Sequence, residues 1–143
     1  MISRRRSRIL AVQALYAWDL CGQVATPDLL RFGWYEKSQA AEPGAQQADE
    51  HFFARHLVLG AIESIASIDG LIKESAAHWD FNRINKVDLA ILRMGIYSLQ
   101  YNRDISSSIS IDEAVAIARE YSSGESYRFI NGVLDAIRKK LGV

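Results

Sequence analysis

The chain has 143 residues, enough for one domain with its own hydrophobic core; 49% are hydrophobic and 24% charged. This composition excludes a disordered protein, and no stretch approaches the roughly 20 apolar residues of a membrane span. A single cysteine, Cys21, excludes an internal disulfide. The basic N-terminus lacks the small-residue cleavage pattern of a secretory signal, so we expect a cytoplasmic protein.

The formal net charge is zero, but the charge is unevenly distributed along the chain. Four of the 17 basic residues lie in the segment SRRRSR at residues 3–8, which leaves 13 basic against 17 acidic residues elsewhere. These arginines lie at the start of a predicted helix, where they repel one another and oppose the helix dipole unless an anion binds. The pattern favours a phosphate-binding site, and the alternative is a solvated, frayed tip.

Helical periodicity begins directly after these arginines. Apolar residues at steps of three and four predict a first helix from an N-cap at Ser3 to about residue 20. A second, shorter helix is predicted after Thr26, because a proline and an aspartate follow this residue. Its apolar residues are Leu29, Leu30, Phe32 and Trp34. Residues 38–49 contain Pro43-Gly44 and predict a loop.

A long apolar stripe from residue 50 to about residue 77 predicts the next helical segment, interrupted near Asp69-Gly70. The stretch HWDFNRINKVDLAILRMGIYSLQY, at residues 78–101, then has apolar residues from Ile84 to Leu99 at near-helical spacing. A helix apolar on this much of its circumference is expected to be central to the fold.

Two further helices are predicted near the C-terminus. Ser110 and Glu113 have the spacing of a capping box, which predicts a helix from there to about residue 121. The last apolar stripe passes through Asn131-Gly132 and ends near Leu141, so we expect Gly132 to allow another helix to approach closely. Together the patterns predict an all-α fold of six or seven helices.

The sequence offers no set of catalytic residues. His51 and His56 are five residues apart, a spacing that turns them roughly 140° from each other on a helix, and His78 is isolated. No glycine-rich phosphate loop follows a strand, and Cys21 has no histidine motif beside it. We therefore predict no enzymatic activity, no metal site and no cofactor.

Tyr16 lies eleven residues after Arg5, so on an ideal helix the two side chains point within roughly 20° of each other. Arginines and an aromatic ring in line suit single-stranded RNA, whose phosphates and bases they would hold. Core packing is the alternative for Tyr16. A helix lying on a membrane surface is the rival function, but only the first two turns are basic and Asp19 lies at the other end.

Four segments, taken together, resemble the bacterial NusB family of transcription antitermination factors. They are RRRSRILAVQALYAWDL, VDLAILRMGIYSL, SIDEAVAIAREY and SYRFINGVLDAI, in the family's order and spacing. The resemblance covers nearly the whole chain apart from residues 36–50. It implies one domain over residues 1–143 made of two small helical bundles, at about residues 1–75 and 76–143, and a non-enzymatic role.

The resemblance also implies partners. NusB-like proteins pair with the ribosomal protein NusE, bind the boxA element of nascent RNA, and join the elongating RNA polymerase in an antitermination complex, notably on ribosomal RNA operons. Residues carried over by matching motif are expected to contact RNA, with core packing as the alternative for Phe129. They are Arg4, Arg5, Arg8, Tyr16, Glu125, Arg128 and Phe129. Asp88 falls where the family has an acidic residue facing NusE.

The chain departs from the family pattern at a few positions. Ser106 replaces the proline before the penultimate helix, Asp112 replaces an asparagine, and Ser98 replaces a glutamate on the preceding helix. The alternative functions are a NusB-like module associated with ribosomal RNA modification, and a bundle that binds only other proteins. The absence of a cofactor-binding domain after Val143 argues against the first of these.

Overall fold

The computed structural model describes residues 2–33 and 51–143. Within these ranges the chain forms six α-helices and two short 3-10 helices and no β-strand, which confirms the predicted all-α fold. The helices are α1 (Arg4–Leu20), α2 (Phe52–Glu63), α3 (Ile65–Ser75), α4 (Lys86–Tyr101), α5 (Ser107–Tyr121) and α6 (Ser126–Leu141). The 3-10 helices are Pro27–Leu30 and Phe81–Arg83.

Helix α4 is the centre of the fold, as its sequence predicts. Asn85 caps it by accepting hydrogen bonds from the backbone amides of Val87 and Asp88, at 2.8 and 3.4 Å. Every residue from Asp88 to Leu99 is buried, and the helix packs against each of the other five. One apolar core runs through all six helices, and the predicted division into two bundles near residue 75 stays a prediction.

Arg93, a buried arginine of α4, joins this helix to α3 and α1. The guanidinium of Arg93 donates to both carboxylate oxygens of Asp69 on α3, at 2.9 and 2.8 Å. It also lies 3.4 Å from the carboxylate of Asp19 on α1. Burial raises the pKa of Asp19, but hydrogen bonds from Gln23 and Lys86 and the charge of Arg93 outweigh it, so the net shift is downward. This network fixes the far end of α1 on α4.

The long helical stripe breaks at Ser64, before Asp69. The interruption predicted near Asp69-Gly70 is wrong, because α2 ends at Glu63, α3 begins at Ile65, and Ser64 between them has φ −101° and ψ 14°. Asp69 lies inside α3, where a regular backbone aims its carboxylate at Arg93.

The predicted second helix lies only partly within the described residues. After Thr26 these residues form the four-residue 3-10 helix Pro27–Leu30, and Phe32 then has a positive φ of 52°, which interrupts the helical backbone at that residue. Phe32 is fully buried. Trp34 and the loop predicted at residues 38–49 lie outside the described residues.

Two expectations about the last helices are corrected. Helix α5 begins at Ser107, with Ser106 as its N-cap accepting from the amide of Ile109 at 3.3 Å, so Ser110 is buried inside the helix. Helix α6 does pass through Asn131-Gly132, but a Cβ on Gly132 would meet nothing within 4 Å. The close approach occurs at Gly60 instead, where a Cβ would lie 2.1 Å from the Tyr97 ring.

Candidate nucleic-acid interface

The arginine cluster forms the first two turns of α1. Ser3 is the N-cap, as predicted, and its hydroxyl accepts from the amide of Arg6 at 3.0 Å. Because successive residues on a helix point about 100° apart, the four arginines diverge around α1. Arg5 has 57% of its side chain exposed, whereas Arg8 has only 6%.

A carboxylate from α5 supplies an anion that the local sequence does not contain. Arg5 donates to Glu113 through Nε at 2.9 Å and Nη2 at 3.1 Å, a bidentate pair between residues 108 positions apart. Nη1 of Arg8 lies 3.9 Å from the same carboxylate. The arginine hydrogen bond, aided by both positive charges and opposed by burial, lowers the pKa of Glu113. The charge at the start of α1 is therefore partly balanced from within the chain.

Phe53 of α2 supports the arginines from the other side. The guanidinium carbon of Arg4 lies 4.0 Å from the centre of this ring, and that of Arg8 lies at 5.4 Å. Burial lowers the pKa of Arg8, with the neighbouring arginines adding to the effect and Glu113 opposing it. Arg8 is therefore a buried, structural arginine. Arg4, Arg6 and the outer side of Arg5 remain open to a ligand.

Tyr16 lies further along the seam between α1 and α5. It is 36% exposed and lines a small apolar groove of about 180 Å³ together with Ile9, Val12, Ile117 and Tyr121. Since Glu113, Ile117 and Tyr121 follow one face of α5 at intervals of four, Arg5 and Tyr16 meet the same face. The alignment of Arg5 with Tyr16 as parts of one RNA site stays a prediction, and both side chains lie beside the same helix.

The second group of predicted residues lies at the start of α6. Glu125 and Arg128 are 73% and 67% exposed and lie 3.5 Å apart as an ion pair. Arg128 Nε also donates to the Tyr127 hydroxyl at 3.1 Å. Phe129 is half-buried and packs edge-to-face against Trp79, with ring centres 5.1 Å apart.

Helix α5 links the two groups without bringing them into contact. On one side of α5, Glu113 holds Arg5; on the other, the guanidinium carbon of Arg119 lies 4.5 Å from the Tyr127 ring of α6. Within the described part of the chain, no hydrogen bond or ion pair joins residues 4–8 to residues 125–129. The arginines and aromatic rings thus follow a path over α1, α5 and α6.

Three residues of this surface are not predicted from the sequence. Arg119, Tyr127 and Trp79 follow no spacing rule that would have grouped them, because their contacts join segments far apart in the chain. The one available signal was Trp79, one of two aromatic residues in the short stretch HWDFN between two apolar helical segments.

Asp88 is buried rather than outward-facing. It is 5% exposed, and its carboxylate accepts hydrogen bonds from the hydroxyls of Ser122 and Ser126, the latter at 2.8 Å. These bonds join α4 to the end of α5 and the start of α6. The expectation of an exposed carboxylate is corrected, and direct contact of Asp88 with a partner stays a prediction.

Two of the three histidines, His51 and His56, have neighbours that account for them structurally. His56 lies 2.9 Å from the Asn102 side chain and packs edge-to-face on Tyr97, while His51 packs against Phe32. Over residues 2–33 and 51–143, no group of three or more His, Cys, Asp or Glu side chains is arranged to hold a metal ion. None of the helices described there is both long and apolar enough to cross a bilayer.

The chain combines an all-helical fold with arginines and aromatic rings that follow three helices. These features are typical of one class, the helical nucleic-acid-binding proteins. The comparisons with known proteins narrow this class. The sequence model of the NusB family matches residues 5–139. The chain belongs to the NusB family, which confirms the resemblance seen in its four motifs.

Individual relatives agree over nearly the full length. The chain is 44% identical over 139 residues to the transcription antitermination protein NusB of Treponema denticola, covering 97% of this chain and 98% of the relative. It is 48% identical over 139 residues to the protein of that name from Treponema pallidum, covering 96% and 94%.

Solved structures agree as well. NusB of T. maritima matches with a TM-score of 0.79 and 32% identity, over 97% of this chain and 92% of that one. A crystal structure of the antitermination factors NusB and NusE in complex with dsRNA contains a chain that matches with a TM-score of 0.78 and 28% identity. This match covers 97% of the present chain and 99% of that chain.

Proposed function

We propose that this protein is a transcription antitermination factor that binds boxA RNA together with ribosomal protein NusE and joins the elongating RNA polymerase, notably on ribosomal RNA operons. Its role is non-enzymatic and cytoplasmic. The observation that carries the proposal is the path of arginines and aromatic rings over α1, α5 and α6 in a member of the NusB family. NusB relatives named for antitermination, and a NusB structure solved with NusE and RNA, support it.

In this proposal the arginines at the start of α1 hold RNA phosphates. Glu113 keeps the guanidinium of Arg5 in a fixed direction, so little side-chain entropy remains to be lost when a phosphate binds. Arg4 is held in the same way by the Phe53 ring. Arg8 contributes its positive charge from inside the fold. Its side chain is buried against Phe53 and Glu113, so a phosphate would reach it only by displacing one of them.

The aromatic residues hold bases. Tyr16 on the α1 side and Phe129 on the α6 side each have exposed ring surface on which an unpaired base can stack. Asp88 contributes to the NusE surface indirectly, by fixing the ends of α5 and α6 through Ser122 and Ser126.

The phosphate role of the arginines is tested by the salt dependence of boxA binding. Replacing Arg4, Arg5 and Arg6 with Gln should flatten the plot of log affinity against log salt by up to about 0.7 per lost contact. Arg8 is left in place because its burial makes it part of the fold.

The matched control replaces three exposed basic residues on other parts of the surface, Arg31, Arg103 and Lys139, with Gln. This variant loses the same charge, but away from the start of α1. It should therefore shift the RNA affinity only slightly and keep the salt slope. An equal change of slope in both variants would mean that net charge, and not the start of α1, controls binding.

A further inference from the structure

A cleft of about 740 Å³ opens on the surface of the described residues. It lies between the segment that joins α3 to α4 and the first turns of α6. Residues on its walls include Trp79, Arg83, Asn85, Arg128, Phe129 and Gly132. Its volume falls within the range of about 300–1,000 Å³ typical of small-ligand sites. Because a Cβ on Gly132 would meet nothing within 4 Å, open space lies over α6 at this position.

Trp79 is exposed and yet held in position. It is 63% exposed, a large apolar surface to leave in water. Its amide donates to the carbonyl of Ala76 at 2.9 Å, and its ring packs edge-to-face on Phe129 at an interplanar angle of 60°. The two rings therefore form a fixed aromatic corner, and most of the indole surface faces the solvent in the cleft.

Two cations flank this corner in loosely held ion pairs. Arg83 is 88% exposed and lies 3.8 Å from Asp80; Arg128 is 67% exposed and lies 3.5 Å from Glu125. Exposed pairs of this kind contribute little to stability, so each arginine can exchange its carboxylate for a phosphate. Arg5, in contrast, is held by two hydrogen bonds.

We propose that Trp79, packed against Phe129, stacks on one unpaired base of the bound RNA, while Arg83 and Arg128 hold the phosphates on either side of it. This inference rests on the proposed function, since it adds a base-binding position to the same RNA surface. Stacking on aromatic side chains suits single-stranded RNA because every base has a π face, and the arginines suit its backbone.

The first test combines a protein variant with an altered RNA. BoxA RNAs, each with one abasic nucleotide, are titrated against wild type and Trp79→Ala in the presence of NusE. One abasic position should weaken wild-type binding about tenfold, as expected for one lost stacking contact. The same position should cost Trp79→Ala nothing further, because its partner ring is already gone. Trp79→Phe keeps a ring and should retain most of the affinity.

The second readout is tryptophan fluorescence. In a Trp34→Phe background, boxA RNA should quench the fluorescence, and adding Trp79→Phe should largely abolish the quenching, because the remaining Trp18 is buried. Thermal unfolding of each variant verifies that the fold is retained.

The outcomes separate the two claims. If Trp79→Ala binds boxA as tightly as wild type, or loses the same affinity on every abasic RNA, the inference fails while the proposed function stands. Weaker NusE binding in the absence of RNA would assign the cleft to a protein partner and also overturn it. If wild type does not prefer boxA to a scrambled RNA, the proposed function fails and the inference fails with it.

Discussion

The start of α1 and the start of α6 carry similar residue types but use them differently. At α1, arginines are fixed by a bidentate carboxylate and an aromatic ring, and one of them is buried. At α6, Arg128 is held by an exposed ion pair and a tyrosine hydroxyl, and Phe129 meets an exposed tryptophan. The first region contributes to the fold as well as to the surface, and the second is mainly surface. Charge alone therefore does not identify a binding residue; its internal partners must be counted first.

The largest expected effect comes from breaking the pair that makes α1 part of the fold. Glu113→Ala leaves the buried Arg8 without a carboxylate and removes the partner of Arg5. We expect the free energy of unfolding to fall by about 2 kcal/mol, as for a lost hydrogen bond between charged groups, because Arg5 is exposed and Arg8 lies 3.9 Å from the carboxylate. Chemical denaturation measures this change.

Glu125→Ala is the matched control for that variant, since it removes a carboxylate from an exposed arginine pair at α6. Its free energy of unfolding should change by less than about 1 kcal/mol. Similar losses in the two variants would mean that the two regions do not differ as described.

The next effect concerns RNA affinity. Phe129→Ala removes an aromatic ring and no charge, so boxA affinity should fall about tenfold at every salt concentration without a change in salt slope. The variant in which Gln replaces Arg4, Arg5 and Arg6 should instead change the salt slope. Fluorescence anisotropy at several salt concentrations measures both quantities. A changed slope in Phe129→Ala would show that the ring acts by holding Arg128 or Arg83 in place.

A smaller effect is expected at the buried carboxylate beneath α6. Ser126→Ala removes a hydrogen bond to Asp88 and should lower the free energy of unfolding by about 1 kcal/mol. If Asp88 acts on NusE through this connection, the variant should also weaken NusE binding. Isothermal titration calorimetry measures that affinity. Unchanged NusE binding in a variant with the expected loss of stability would contradict the indirect role.

The smallest effect is a pH dependence. The pKa of Glu113 is lowered in the folded protein, chiefly by the hydrogen bond from Arg5, so its stabilising contribution is complete above the unfolded pKa of Glu. It is lost as the pH falls through the folded pKa. Glu113→Gln lacks this contribution, so acidification below about pH 4.3 should narrow the difference in stability between wild type and the variant. A constant difference across this range would contradict the assigned shift.

Periodicity was sufficient to predict the main helices but not their junctions. Helices α1, α4 and α6 each have a continuous apolar stripe and were predicted from it. The start of α5 was misplaced because several serines there have equal capping ability. The choice between them depends on packing, which directs Glu113 toward α1 and leaves Ser106 as the cap. Local sequence does not contain that information.

The candidate site was predictable only in part, because some of its contacts also depend on packing between distant segments. The arginine cluster and the last motif are visible in the sequence, and Arg4, Arg5, Glu125 and Arg128 lie at the surface. The burial of Arg8 depends on Phe53 and that of Asp88 on Ser122, contacts that no spacing rule reveals. Trp79 was missed because only the folded chain places it against Phe129.

The most direct test of the central claim is a titration of boxA RNA and a scrambled RNA of equal length, with and without NusE. We predict tighter binding of boxA than of the scrambled RNA, and a larger difference when NusE is present, because NusE and RNA then favour each other's binding. Equal affinity for the two RNAs under both conditions would contradict this prediction.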